Sequence, residues 1–420
     1  MRVEVITVGT ELFSDKINTN IVYLGEKLKS IGVEISRAIT VPDNLNEMLN
    51  VFQESFNRSD IVIITGGLGP TFDDLTREAV SKVLRKKLVF NKEIMHSIAR
   101  HFTERNIEMP KGNEKQAYII DGAEYILNKV GTAPGQIIRQ KVQKKEKFIF
   151  LLPGPPRELC PMFELNILPY LKEKFEKKIT KTKTIHVFGL PESKVNELIL
   201  PIVETERKIE GGYVDFTILC HQTMIIDIKI TVTGTDEMLI DEMLNNIKKE
   251  TYSVLKENIY GEDNQTLESV VGELLIKNKK TLSVAESCTG GLISNKITNI
   301  PGSSVYFLQG VVAYSNKAKV EILGVSEETI DKFGAVSEET AIEMARGIKK
   351  ISHSDISCAV TGIAGPTGET PSKPVGTVCF AVVTNSDEIS KKVNFTGNRL
   401  EIKERSANFA LDLLRRKLLE

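Results

Sequence analysis

Two sets of side chains in this sequence have the types and spacing for chemistry. In "VAESCTGG" (284–291), Ser287 and Cys288 stand side by side between an apolar run and a glycine pair. A nucleophile placed there can attack a carbonyl carbon if a base takes its proton. Further on, "GVVAYSNKAK" supplies Tyr314 and Lys319. A lysine made less basic by burial or by a neighbouring cation can accept the serine proton, directly or through the phenol. No histidine lies near Ser287 in sequence, so serine–lysine chemistry is favoured over a histidine triad. Amides along Cys288, Thr289, Gly290 and Gly291 would then face the oxyanion. Other readings stay open. Cys288 is a competing nucleophile if a helix end or cation makes it thiolate, the stretch also reads as a plain turn into a helix, and Lys319 also reads as an exposed helical lysine.

The second set is "TGGLGPTFDDLTREAV" (65–80), which follows a buried apolar run. Gly66, Gly67 and Gly69 allow a tight turn with amides facing a ligand, and Thr65 and Thr71 flank them. A helix start beyond them favours phosphate. Asp73 and Asp74 place two carboxylates beside that anion position, an arrangement that a hard divalent cation such as Mg²⁺ neutralises. The competing reading is a glycine turn with an aspartate capping a helix. Gly9 and Glu11 in "GTEL", Asn18 and Asn20 at the next helix start, Lys115 in "GNEKQA" and the loop "GTAPG" (131–135) belong to the same rim, because parallel strands bring their carboxyl ends together. The pattern is neither the dinucleotide GxGxxG nor a Walker loop. In the other half, Thr361, Gly362, Ala364 and Gly365 of "TGIAGPTGETPSKPVGT" (361–377) form a stiff substrate wall. Arg399 and Arg405 supply paired donors for a phosphate, or else are solvated helix residues.

These residues need a sheet to hold them. Near-continuous apolar runs such as "VEVITVG" (3–9) and "DIVIITGG" (60–67) alternate with helical spacing, as at Ile21, Leu24, Leu28 and Ile31. That pattern predicts an α/β fold with a mostly parallel sheet over 1–170. Residues 171–258 read as a small α+β module, in which His221 reads as a turn residue or the partner of a local bond, with a ligand role as the alternative. The texture restarts as a second α/β domain over 259–420, after the polar linker "NIYGEDNQ" (258–265).

Bulk properties remove several function classes. A 41% hydrophobic, 26% charged chain of 420 residues is a folded, multidomain composition. The net charge of −1 gives no support to non-specific nucleic-acid binding. No apolar run is long enough to cross a membrane, and the N-terminus reads as a strand rather than a secretory leader. Five cysteines without a CxxC pair read as reduced, cytoplasmic thiols, and the five histidines lack zinc spacing.

Taken together, the motifs resemble the CinA (competence/damage-inducible protein A) family. The resemblance rests on "GTEL", "NTN", "TGGLGPTFDDLT", "GTAPG" and "LPGPPREL" in the first half, and on "AESCTGG", "PGSS", "VVAYSNKAK", "GAVSEE", "TGIAGP" and "KPVGTV" in the second. It spans almost the whole chain. It implies a molybdopterin-binding-like domain joined to a nicotinamide mononucleotide amidase domain. It also implies hydrolysis of that nucleotide to nicotinic acid mononucleotide and ammonia, with Ser287 acylated and Tyr314 and Lys319 moving its proton. For the N-terminal domain it implies ADP-ribose hydrolysis to AMP and ribose 5-phosphate with Mg²⁺ at Asp73 and Asp74, and Glu11 as the first-strand glutamate. No cofactor is implied for the amidase, and a cytoplasmic homodimer is expected. Three positions depart from the family pattern: Asp15 replaces a glycine, Asn18 an aspartate, and "YIID" follows "KQA" where a proline is usual. A non-catalytic scaffold that binds a nucleotide or pterin is the alternative.

Overall fold

In the computed structural model the described residues are 2–142, 145–174 and 178–420. They form two compact units. The first comprises Met1–Lys181 with Glu210–Gly212 and Thr233–Glu237, and the second comprises Thr182–Ile209, Tyr213–Val232 and Met238–Glu420.

The first unit is built on a six-stranded sheet in the order Ile35–Val41, Val3–Val8, Ile61–Thr65, Lys145–Leu152, Gly135–Val142, Glu124–Ile126. Its first four strands are parallel. The last two pair antiparallel, so the sheet is mostly parallel, as expected, and ends in a hairpin edge. Burial on both faces explains the near-continuous apolar strands. Ile61, Ile63, Phe148 and Phe150 point into one core, while Val62, Ile64, Ile149 and Leu151 point into the other. One core is covered by the helix Thr19–Lys29 and the helical run after Pro156, the other by helices Leu45–Arg58 and Thr76–Leu84.

The second unit contains a five-stranded sheet in the order Phe307–Val312, Leu282–Glu286, Ile356–Gly362, Thr377–Val383, Glu388–Asn394. The first three are parallel and the remainder antiparallel. The two faces differ in residue size. Leu282, Val284, Ile356, Val360, Phe380 and Val382 join a core with helices Leu267–Lys277 and Arg399–Leu419. The opposite face carries Ala285, Ala359 and Ala381, against which helix Glu338–Ser352 packs through Ala341 and Ala345. Small residues on both partners let that helix approach closely.

A four-stranded sheet follows the order Tyr213–Cys220, Ile225–Gly234, Ile179–Phe188, Ile259–Glu262. Residues 259–262 therefore pair as a strand, although their polar flanks suggest a linker. His221 lies in the hairpin turn, with Nε2 2.9 Å from Asp227 Oδ2. No helix among the described residues is long and apolar enough to cross a membrane.

Candidate active site and candidate nucleotide pocket

Ser287 follows directly on the strand Leu282–Glu286. Its amide donates to the Val360 carbonyl at 2.9 Å, and the Ala313 amide donates to the Glu286 carbonyl at 2.8 Å. The strand end is thus held between both neighbours. Alternation of side chains then sorts the nucleophiles. Cys288 shares the parity of Val284 and enters the same apolar core. Burial pushes its thiol up to about 12, although the Cys288 and Thr289 amides near the sulfur pull the other way. Ser287 has the opposite parity and meets Lys319. Of the two nucleophiles, the serine is the one placed for attack.

Lys319 sits one turn into helix Asn316–Leu323, whose start is capped by Ser315 Oγ accepting from the Ala318 amide at 3.1 Å. The lysine is buried. Its Nζ lies 3.1 Å from Ser287 Oγ, 3.1 Å from the Ala313 carbonyl and 3.4 Å from the Tyr314 carbonyl. Burial lowers its pKa. A neutral amine has two N–H groups and one lone pair. The ammonium form donates to all three oxygens, and the neutral form keeps its two N–H groups for the carbonyls and has the lone pair for the serine proton. The exposed-lysine reading is ruled out.

The expected relay through the Tyr314 phenol does not match this geometry. That ring is largely exposed, and its hydroxyl accepts from Arg399 Nη2 at 2.7 Å, while the lysine reaches the serine directly. Arg399 also donates through Nη1 to the Gly365 carbonyl at 2.5 Å, bringing the 361–377 loop and the phenol together. Arg405 does not join it. Its Nε donates to the Gln222 carbonyl at 3.0 Å, and its Nη1 is held by Thr396. It therefore fastens the 221–224 turn, and Lys403 takes the place beside the serine loop. A Cβ at Gly290 would lie 3.5 Å from Lys403 Nζ. Thr361 is buried with its hydroxyl on the Ala335 carbonyl at 2.7 Å, and Ala364 is buried. A Cβ at Gly362 would stand 2.8 Å from a Val378 methyl. Those three shape the wall from behind, and Gly365 meets Arg399.

The expected row of oxyanion donors is shortened as well. The Gly290 amide closes a turn onto the Ser287 carbonyl at 3.1 Å. The Gly291 amide goes to Glu286 Oε2 at 3.0 Å. Of the four expected amides that leaves Cys288 and Thr289, both of which lie near the Cys288 sulfur. Glu286 is a residue that sequence reasoning missed, although an acid ending an otherwise apolar run was a signal in plain view.

In the first unit, a cavity of about 870 Å³ is lined by Gly9, Glu11, Asn20, Thr65, Gly66, Gly67, Gly69, Thr71, Asp73 and Asp74, among others. Gly66 has φ +100°, and a Cβ there would stand 2.1 Å from the Val8 carbonyl oxygen, so only glycine fits. Asn20 Nδ2 donates to Thr65 Oγ1 (3.1 Å) and the Gly154 carbonyl (2.7 Å), tying the cavity floor together. The Thr71 amide donates to Asp74 Oδ2 at 2.8 Å, and its hydroxyl donates to both Asp73 and Asp74. That hydroxyl holds the Asp73 carboxyl below its usual range. Lys115 is a correction: its Nζ grips the carbonyls of Thr71 and Asp74, so it braces the acidic loop and is not among the lining residues. Asp15 is exposed and outside the lining, whereas Asn18 lines the cavity and donates to Thr7 Oγ1 at 2.8 Å. Asp43 and Glu158 also line it and were not foreseen: the segment of Asp43 carries no motif, and Glu158 stands in "LPGPPREL", whose acid was not singled out. Among the described residues, no group of three or more His, Cys, Asp or Glu side chains is gathered for a metal.

Comparison with known proteins adds the following. Residues 264–418 match the family described as "CinA C-terminal domain", and residues 4–173 match the "Probable molybdopterin binding domain". A CinA-like protein of Endomicrobium trichonymphae is 49% identical over 425 residues, covering 100% of this chain and 99% of its own. One from Kosmotoga olearia is 45% identical over 422 residues with the same coverages. A crystal structure of competence damage-inducible protein A from Klebsiella pneumoniae is 34% identical, covers 37% of this chain and 96% of its own, and has a TM-score of 0.36.

Proposed function

This chain belongs to the CinA family over its full length, and from that premise we propose that its C-terminal domain hydrolyses the carboxamide of nicotinamide mononucleotide. The observation that carries the reading is the 3.1 Å approach of a buried lysine amine to the Ser287 hydroxyl. Ser287 Oγ attacks the carboxamide carbon as its proton passes to Lys319 Nζ. The oxyanion forms against the Cys288 and Thr289 amides. Lys319 returns the proton to the amide nitrogen, ammonia leaves, and an acyl-Ser287 ester remains. Water then attacks the ester, Lys319 takes and returns one proton, and nicotinic acid mononucleotide is released. Arg399, with Lys403 beside the serine loop, supplies positive charge for the substrate phosphate. Ser287→Ala is expected to abolish ammonia release while leaving the thermal transition in place. Unchanged turnover in that variant would sink the assignment.

We also propose that the N-terminal cavity hydrolyses ADP-ribose to AMP and ribose 5-phosphate, an idea favoured by the pairing of a glycine turn with two carboxylates in one cavity. Mg²⁺ is commonly held by one or two carboxylates plus substrate phosphates, so a pair of neighbouring carboxylates fits it. Asp73 and Asp74 would hold the ion, whose contribution would be to neutralise the diphosphate. Thr71 and Lys115 fix the loop on which both carboxylates stand. Following AMP from ADP-ribose with and without Mg²⁺ tests the reading, and no AMP above the metal-free control counts against it.

A further inference from the structure

Glu286 is wholly buried, and among the described residues its side-chain hydrogen bonds all come from uncharged donors. Oε2 accepts from the amides of Gly291 (3.0 Å) and Ile293 (3.1 Å), and Oε1 from the amide (2.8 Å) and hydroxyl (2.7 Å) of Ser294. A buried charge is costly unless it is heavily hydrogen-bonded. Here the geometry dictates the residue type. Each oxygen faces two donors, so only a carboxylate satisfies all four. A glutamine would turn its NH₂ against one pair.

The same carboxylate spans the serine loop. Glu286 is the last residue of the strand, and its backbone carbonyl is held by the Ala313 amide. Its side chain reaches over Ser287–Gly290 to the start of helix Leu292–Thr298. That helix has a left-handed glycine, Gly291, at its N-cap and no side-chain cap of its own. Both ends of the loop are therefore fastened to one residue. Its amides at Gly291, Ile293 and Ser294 are also removed from any role toward substrate.

We propose that Glu286 is the positioning residue of this site, clamping the Ser287–Gly290 loop so that Oγ stays on Lys319. The amidase reading enters only through the substrate, since the clamp acts on the serine itself. A displacement of about 1 Å in such a group costs on the order of 10²-fold in rate.

The test uses the full-length protein and two readouts. One is the rate constant and final extent of Ser287 labelling by a fluorophosphonate, followed by intact mass. The other is ammonia release from nicotinamide mononucleotide. Glu286→Gln is expected to label to full extent with a rate constant about 10²-fold lower. Ser294→Ala, which removes one of the four donors, is expected to slow labelling several-fold. In both, the acid limb of the pH–rate profile stays where the wild type has it, because Lys319 is untouched. A merely structural role would instead lower the extent and leave the rate constant. That result, or rate constants within about twofold of wild type, overturns the inference. If Glu286→Gln does not fold, Ser294→Ala decides by the same criterion. A wild type that labels without releasing ammonia removes the proposed substrate and leaves the Glu286 comparison readable, whereas a wild type that does not label at Ser287 overturns the clamp.

Discussion

Replacing Lys319 by methionine removes the lone pair while keeping nearly the same volume. In the native protein Nζ is within proton-transfer reach of Ser287 Oγ and donates to two backbone carbonyls. Losing a positioned general base costs about 10²–10⁴-fold, or roughly 3–5 kcal/mol of barrier. The two carbonyls lose their donor, a penalty of about 1–3 kcal/mol each if they stay dry, partly offset because a buried amine is exchanged for an apolar chain. The fold is therefore expected to survive with a lower melting temperature. The pH profile is the sharper reading. Burial holds the lysine below its ordinary value of 10.5, and catalysis needs the neutral form. The wild-type rate should therefore rise as pH climbs through that lowered pKa and fall as the amine protonates on the acid side. Lys319→Arg, protonated throughout, should be inactive at every pH. The assay is ammonia release as kcat/KM from pH 5 to 10. If Lys319→Met kept activity within tenfold of wild type, or retained the same acid limb, the direct serine–lysine mechanism would be wrong.

Arg399→Ala should raise KM for nicotinamide mononucleotide at least tenfold in steady-state kinetics, because it removes charge from the site and frees both the Tyr314 phenol and the Gly365 carbonyl. Arg405→Ala, which loosens the hairpin turn at Gln222, should lower the melting temperature by a few degrees and leave kcat within about threefold. Asp73→Asn and Asp74→Asn should each reduce Mg²⁺-dependent AMP release from ADP-ribose by at least tenfold, with ammonia release from the other domain unchanged. Burial raises the Glu4 carboxyl, but bidentate Arg58 outweighs it and holds the pKa at about 2. Stability from this group is therefore full above the unfolded value near 4.3 and is lost as pH falls toward 2. Thermal melts across that window should be steeper in pH for the wild type than for Glu4→Gln.

The sequence by itself determined most of the sheet strands and the rim that bears the motifs, and it offered Ser287 and Lys319 as candidates for one site. Hydrophobic alternation and glycine turns are local properties, and a strand fixes which neighbour faces which core. That same alternation separates Ser287 from Cys288 once the core side is known. What only the tertiary structure decided is where each donor is spent. Arg399 and Arg405 are equivalent as letters, yet one reaches Gly365 and the other is captured by Gln222, far off in the chain. Gly290 and Gly291 look like free amides until a turn closes on one and Glu286 takes the other. A hydrogen-bond donor satisfies whichever acceptor the packed fold brings to it, and spacing along the chain does not set that distance.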